Sequence, residues 1–409
     1  MLHLFDAVGV ELEYMIVDRD ALSVRPIADR IIHHLAGSYE SEVKHGPLAW
    51  SNELVLHVME LKTNGPVAAL RGLDDLFQRD IRLINDLASR ENAALLPTGA
   101  HPWMNPDADT RLWPHAYSPI YAAFNRIFNC RGHGWSNLQA AHLNLPFADD
   151  DEFGRLHAAI RILLPILPGL AASTPILDGR PTGLADARLE AYRHNADRLP
   201  SLAGQVIPEA VFSRDEYEAK ILQPMYRDIA PHDPDRILQY EWLNARGAIA
   251  RFDRNTIEIR VLDVQECPRA DLAMAALVVA VLGALCDERF GSYVDQKSWR
   301  VTPLVAVLDA AIRHGDQAVI TDPQYLRALG RKRAPCTIRE LWQHFIQTLS
   351  PEIDPAQSAA LHVYLSHGCL SRRIVAALGD SCTPARLHHV YRELRDCLHE
   401  ARVFLPDGR

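Results

Sequence analysis

Most of the short patterns that announce an enzyme are missing from this sequence. There is no Walker A pattern, no GxGxxG, no GxSxG and no HExxH, which removes P-loop, Rossmann, serine-hydrolase and zincin chemistry as first readings. The seven cysteines are an odd number with no CxxC pair and no close spacing. They read as reduced thiols, and no disulfide framework is expected. A cationic surplus is also missing, since 43 Lys and Arg stand against 52 Asp and Glu for a net charge of −9. Phosphate backbones normally select a basic surplus, so no nucleic-acid partner is expected. The opening MLHLFDAVGVELEY has no basic n-region and no small-residue cleavage site, so no signal peptide is expected. The longest apolar run, Leu272 to Cys286, is closed by Asp271 and Asp287 and as a helix would reach roughly 22 Å, short of a bilayer core. The expectation is a buried helix, no membrane partner and a cytoplasmic location.

What is present is ordinary globular composition, 48% apolar and 23% charged, in a 409-residue chain long enough for about two or three domains. Chemistry-bearing residues sit on strand-like segments. In Thr256 to Asp263, TIEIRVLD, the apolar Ile257, Ile259 and Val261 alternate with Glu258 and Arg260, the period of a half-buried strand. Taken singly, that Glu and Arg form a same-face ion pair contributing well under about 1 kcal/mol.

Three further segments place acids or imidazole at strand spacing: GVELEYMIVD (9–18), SNELVLHVMELKTNGP (51–66) and NLQAAHLNLPF (137–147). Glu11 and Glu13 are two apart, so both carboxylates project from one face and require water or cations. Glu53 and Glu60 are seven apart, an odd separation that needs either a bulge or the exclusion of one of them from the site. His142 and Asn144 share a face.

The remaining pattern predicts helices over 26–35, from Pro66 to about Ser89, over 119–130 and over 149–167, short strands at 41–44 and 95–101, and further strands at 237–244 and 248–252. From Pro268 onward it is helical, with breaks near Pro303, Asp322-Pro323 and Pro351. Between Asp178 and Pro208 lies a Gly- and Pro-containing loop with one helical stretch, on which Arg188, Tyr192 and Asn195 share a face while Arg193 points elsewhere. A solvated helix and a functional lid are equally open readings of it. The basic GRKRAP (330–335) reads as a solvated turn.

Five carboxylates and one imidazole on separate strands form a mostly oxygen-donor set that suits Mg²⁺ or Mn²⁺ better than Zn²⁺. Such ions most often hold nucleotide phosphates, and an arginine in the same row would stabilise a phosphoryl group in transfer.

In this order, GVELEYMIVD, MELKTNGP, LQAAHLNLPF and TIEIRVLD resemble the glutamate-cysteine ligase family, including the YbdK-like carboxylate-amine ligases, within the glutamine-synthetase-like superfamily. The resemblance covers about residues 8–290. It implies an α+β fold with a curved, mostly antiparallel sheet, the site on its concave face and helices outside. The corresponding division is a catalytic domain over 1–290 and a helical C-terminal region over 291–409.

By motif it also implies that Glu11, Glu13, Glu53, Glu60, His142 and Glu258 hold the metal ions. Arg260, beside Glu258, would act in catalysis, and Arg246, Arg251, Arg188 and Arg193 would serve the nucleotide or substrates. The implied reaction uses ATP with Mg²⁺ or Mn²⁺. The γ-carboxylate of glutamate is phosphorylated, cysteine or another amine attacks the acyl phosphate, and an amide, ADP and phosphate are released, as in glutathione biosynthesis. Partners are thus small-molecule amino acid and amine substrates, with a homo-oligomer allowed. Two departures stand out: ELE replaces an unbroken acidic run, and HLN replaces the HVH of YbdK-like members. A guanidino-kinase-like phosphotransferase and a non-catalytic nucleotide or metal sensor are the competing readings.

Overall fold

The alternating segments become strands of one antiparallel sheet, and their apolar partners become its covered face. The computed structural model describes residues 1–349, 354–379 and 381–406. Among the described residues the strands are β1 (Gly9–Asp18), β2 (Glu42–His45), β3 (Leu48–Asn52), β4 (Val58–Thr63), β5 (Ala93–Leu96), β6 (Ala140–Pro146), β7 (Ile176–Leu177), β8 (Arg180–Pro181), β9 (Ala248–Arg251), β10 (Thr256–Asp263), β11 (Val319–Ile320) and β12 (Cys336–Thr337), the last two paired with each other. Eight of them form the main sheet in the order β2-β3-β4-β1-β6-β10-β9, with β5 on the C-terminal half of β1. β7 and β8 form a separate two-residue ladder.

Period-two alternation then sorts the side chains. Leu12, Tyr14 and Ile16 of β1, Leu143 and Leu145 of β6, and Ile257 and Ile259 of β10 are almost wholly buried. They share one apolar cluster with residues of the helices Leu73–Ser89, Asp150–Leu163 and Pro268–Cys286. The last of these contains the long apolar run, which is a core helix with Leu277, Val278 and Val281 buried. The same cluster takes in residues from Val8 to Leu398.

Several local expectations are corrected. The stretch from Ser51 to Thr63 is two strands, β3 and β4, with Glu53 in the connection between them, so the odd spacing of Glu53 and Glu60 needs no bulge. Pro66 does not open a helix; the helix starts at Leu73, after Gly72 turns the chain at φ 77°. Residues 237–244 form no strand. The Asp233 carboxylate accepts from the backbone N–H groups of Ile237 and Leu238 at 3.0 and 2.9 Å, and the segment closes in a 3₁₀ turn at Glu241–Leu243. β5 stops at Leu96, short of His101. The helical pattern does break near Pro303, at Trp299–Arg300 between the helices Tyr293–Ser298 and Val301–His314, with Pro303 in the first turn of the second, and the break expected near Pro351 lies outside the described residues.

Three buried histidines make the fold acid-sensitive. His57, His101 and His157 each bond a backbone carbonyl oxygen through one ring nitrogen, those of Ser136, Leu22 and Val211 at 2.7, 2.7 and 2.8 Å. Burial pushes all three down from 6.5, to about 4, about 4 and about 3. His157 shows why: its other nitrogen is buried with no partner, so protonation would create a charge with no acceptor. A histidine with a depressed folded pKa contributes stability above its unfolded value, and loses it as pH falls from 6.5 toward the folded value. Between pH 6.5 and 4.5 wild type should therefore lose about 2.3 kcal/mol relative to His157→Phe, the difference read from urea unfolding at the two pH values. A pH-independent difference would place a solvated, ordinary imidazole at 157.

Candidate active site

On the sheet face opposite the core, the ladder registers set the polar side chains in rows. Glu11 faces Lys62 of β4 and His142 of β6, Glu13 faces Glu60, and Glu258 faces Asn144. His142 is the centre. Its Nδ1 lies 3.0 Å from Glu11 Oε2 and 3.8 Å from Glu258 Oε1, and its Nε2 lies 3.7 Å from Glu13 Oε1. Two sets of donor atoms come within 4.8 Å of one another, Glu11–His142–Glu258 and Glu13–Glu60–His142. Glu53 borders the same cavity from the β3–β4 connection and belongs to neither set. Lys62 is a member that sequence reasoning missed, although it follows Glu60 by two on the same strand face. Its ammonium lies 3.0 Å from both Glu42 and Glu60.

The electrostatics are those of crowded acids. Burial pushes Glu60 up to about 7, and the neighbouring carboxylate of Glu11 adds to the rise. Burial, then the charges of Glu13 and Glu60, hold Glu53 well above the carboxylate range. Glu11 goes the other way, to about 2, because the hydrogen bond and charge of His142, with Lys62, outweigh its burial. For His142, burial is outweighed by the Glu11 hydrogen bond and three carboxylates, which raise it to about 9. The positive charge that faces these acids comes from the His142 imidazolium, Lys62, Arg260 and Arg188. A divalent ion would take the place of the His142 proton, and hard oxygen donors with one imidazole fit Mg²⁺ or Mn²⁺.

Arg260 follows Glu258 by two and stands in the same row, at an irregularity in β10. The register with β6 slips between Ile259 and Leu262, and the Arg260 N–H bonds Gly247 O at 3.0 Å. The side chain borders the cavity, donating through Nη2 to Glu258. Its Nε is buried with no acceptor in bonding geometry. Arg188, on the helix Ala187–Tyr192, also borders the cavity. It donates through Nε to Asp263 and through Nη2 to Val261 O at 2.8 Å. Asp263 accepts in addition from Ser173 N at 2.7 Å and Thr174 Oγ1 at 3.0 Å. Gly99 passes so close that a Cβ there would lie 2.5 Å from the Asp263 carboxyl.

The other arginines are placed differently. Arg246 does not border the cavity: it is buried, with Nε and Nη2 on Glu209 at 2.6 and 2.7 Å and Nη1 on backbone carbonyls, so its donors hold the fold together. Arg193 faces away and pairs with Glu190 and Asp309, as its position off the Arg188 face requires. Arg251, opposite Thr256 on the edge strand β9, lies on the same face, on Asp253 at 3.2 Å and 3.8 Å from Glu258, but does not border the cavity.

The cavity measures about 310 Å³. Facing the acids is a wall that sequence reasoning also missed, made of Tyr121, Phe124, Trp135 and Trp242. A second cavity of about 460 Å³ shares Glu11 and is bordered by Lys62, Asn64, Gly65 and Arg254. A larger one of about 990 Å³, bordered by Arg300, Arg327 and Lys332, contains none of the acids.

An antiparallel sheet that carries clustered carboxylates, a histidine and Arg260 on one face, with Arg188 beside them on a helix and further helices over the other face, defines a mixed α/β fold with a charged cavity on its sheet. The sequence model of glutamate-cysteine ligase family 2 (GCS2) matches residues 7–368, well past the motif-bearing segments, and the chain belongs to that family. It is 34% identical over 398 residues, 97% of this chain and all of the other, to an uncharacterized protein of Archaeoglobus fulgidus. To a glutamate–cysteine ligase of Natronomonas pharaonis it is 23% identical, over 77% of this chain and 79% of that one. Among solved structures it resembles the glutamate–cysteine ligase of Francisella tularensis in complex with AMP, with a TM-score of 0.61, 13% identity, and 96% of this chain and 89% of that one covered. A bifunctional glutathione synthetase from Pasteurella multocida aligns at a TM-score of 0.56 and 14% identity, covering 96% of this chain and 52% of that one. These likenesses establish the fold.

Proposed function

We propose that the protein is an ATP-dependent carboxylate–amine ligase that joins the γ-carboxylate of glutamate to an amine through an acyl phosphate, releasing ADP and phosphate. The observation that carries this reading is the pair of donor sets that share His142, with Arg260 in the same row. Mg²⁺ or Mn²⁺ held there by Glu11, Glu13, Glu60, His142 and Glu258 would neutralise phosphate charge. Glu53 stands beside them as a further donor. Arg260 presents a planar fork to the phosphoryl oxygens, where negative charge spreads as the group moves. Arg188, locked by Asp263, supplies fixed positive charge to a substrate carboxylate. The nucleoside belongs in the neighbouring cavity, where Lys62, Asn64 and Arg254 offer polar contacts and the shared Glu11 keeps the phosphates continuous with the acidic face.

The test is ADP release with glutamate as donor and hydroxylamine as trapping amine. Hydroxamate and ADP should appear in equal amounts, be abolished by EDTA and be restored by Mg²⁺ or Mn²⁺. Formation of AMP and pyrophosphate would mean adenylation and would overturn the acyl-phosphate mechanism.

A further inference from the structure

The aromatic wall constrains what amine this site accepts. Its rings come from three separate elements: Tyr121 and Phe124 from the helix Ser118–Phe128, Trp135 from the short helix His133–Ser136, and Trp242 from the turn Glu241–Leu243. They form one array, with Phe124 5.3 Å from Trp135 and 5.9 Å from Trp242. Rings behind them fix their planes. Phe128 stacks on Trp135 at 5.3 Å, and Tyr240 stacks on Trp242 at 5.7 Å and 12°. Two of the polar edges are turned into the protein: Trp135 Nε1 donates to Asn195 O at 2.8 Å, and the Tyr121 hydroxyl accepts from Asn52 at 3.0 Å. The cavity therefore meets apolar ring surface, half-buried in a concave site where such surface is retained for a ligand.

Charge completes the argument. Among the described residues, Arg188 and Arg260 are the only guanidinium groups that border this cavity, and no lysine does. Both are tethered at the acidic end, by Asp263 and Glu258. If they serve the donor carboxylate and the phosphoryl group, and His142 and the metal ions are engaged by the acids, no cation stands at the aromatic end for a second carboxylate, and an uncompensated carboxylate against these rings would be strongly disfavoured.

Resting on the ligase reading above, we infer that the acceptor is a primary amine without a carboxylate that carries an aryl or bulky apolar group, rather than cysteine. The apolar group lies against Phe124, Trp135 and Trp242, and the nitrogen points to the acidic end. In the bond-forming step the nitrogen lone pair makes the C–N bond. The acyl C–O bond to phosphate breaks, phosphate leaves with that electron pair, and the extra proton on nitrogen passes to water.

The experiment compares 2-phenylethylamine, methylamine, cysteine and hydroxylamine as acceptors, with glutamate and Mg·ATP fixed. We expect kcat/KM for phenylethylamine to exceed that for cysteine at least tenfold. Trp135→Leu and, as a second variant, Phe124→Leu should each raise the KM for phenylethylamine at least tenfold, and Trp135→Phe should recover most of the loss. Preference for cysteine, or equal losses for phenylethylamine and methylamine, would overturn the inference. A rise confined to the KM for ATP would put the nucleobase on the wall and overturn it as well. Hydroxamate formation without turnover of phenylethylamine removes this inference alone, whereas no ADP and no hydroxamate with any acceptor removes the ligase reading with it.

Discussion

Replacing Arg260 by lysine is expected to lower kcat by about 10²- to 10³-fold, roughly 3 to 4 kcal/mol of transition-state stabilisation, while stability changes by less than about 1 kcal/mol. The charge is conserved, so the loss comes from geometry. Arg260 is held by its Nη2 bond to Glu258 and by a backbone placed through the bond to Gly247. Its Nε is buried with no acceptor in bonding geometry, and Tyr192 lies against the guanidinium, so the group is held on more than one side. An ammonium on a flexible stem cannot present two parallel donors to phosphoryl oxygens. If Arg260 served only as the partner of Glu258 on a wet strand, lysine would keep that pair and little would change. The measurement is kcat and thermal midpoint for the variant, with ATP affinity as control. Retention of more than about a tenth of kcat, a loss below about 1.4 kcal/mol, would remove Arg260 from the catalytic list.

The second large effect is expected at Asp263, which touches no proposed substrate. Asp263→Asn keeps the shape but strips the charge opposite Arg188, leaving a buried guanidinium uncompensated, a defect of about 3 to 5 kcal/mol. Both side chains are almost wholly buried, so solvent screens little of this. The informative variant is the double replacement Asp263→Asn with Arg188→Met, which keeps an amide oxygen as acceptor for the buried Ser173 N–H and Thr174 hydroxyl. Removing both charges together should return much of the stability lost in the single variant. Activity should not return, because the guanidinium that Asp263 positions is gone. Urea unfolding and the KM for glutamate separate the two effects. Recovery of both stability and glutamate KM in the double variant would mean that the pair serves only the fold.

How much of this was legible in the sequence depended on what carries each side chain. Glu11, Glu13, His142 and Glu258 sit on regular strands, where period two dictates the face, and antiparallel neighbours bring such faces together. The family resemblance then gave them a common purpose. Glu53 resisted the same logic because a connection, with no period of its own, places it. Arg246 shows the converse failure: its motif position is sound, but nothing local announces that Glu209 and the carbonyls of Ser201 and Leu202 occupy its donors. The aromatic wall was hidden for a third reason. Phe124, Trp135 and Trp242 are far apart in the chain and come together only through tertiary packing; spacing along one element says nothing about it.

The slip in β10 has a consequence for how this chain can tolerate change. Along a regular strand residue 263 would fall in phase with Ile257, Ile259 and Val261 and point into the apolar layer. The extra residue between Ile259 and Leu262 reverses that phase, so that Leu262 pairs with the buried side and Asp263 reaches Arg188. Side-chain swaps at 260 or 261 leave this phase intact. Losing or gaining a single residue there would not, since it would exchange the inner and outer neighbours of the strand end and drive a carboxylate into hydrocarbon. For the phase of the strand end, length between Ile259 and Leu262 is thus the protected quantity, and deleting one residue there should lower the thermal midpoint more than replacing Val261 by another apolar side chain does.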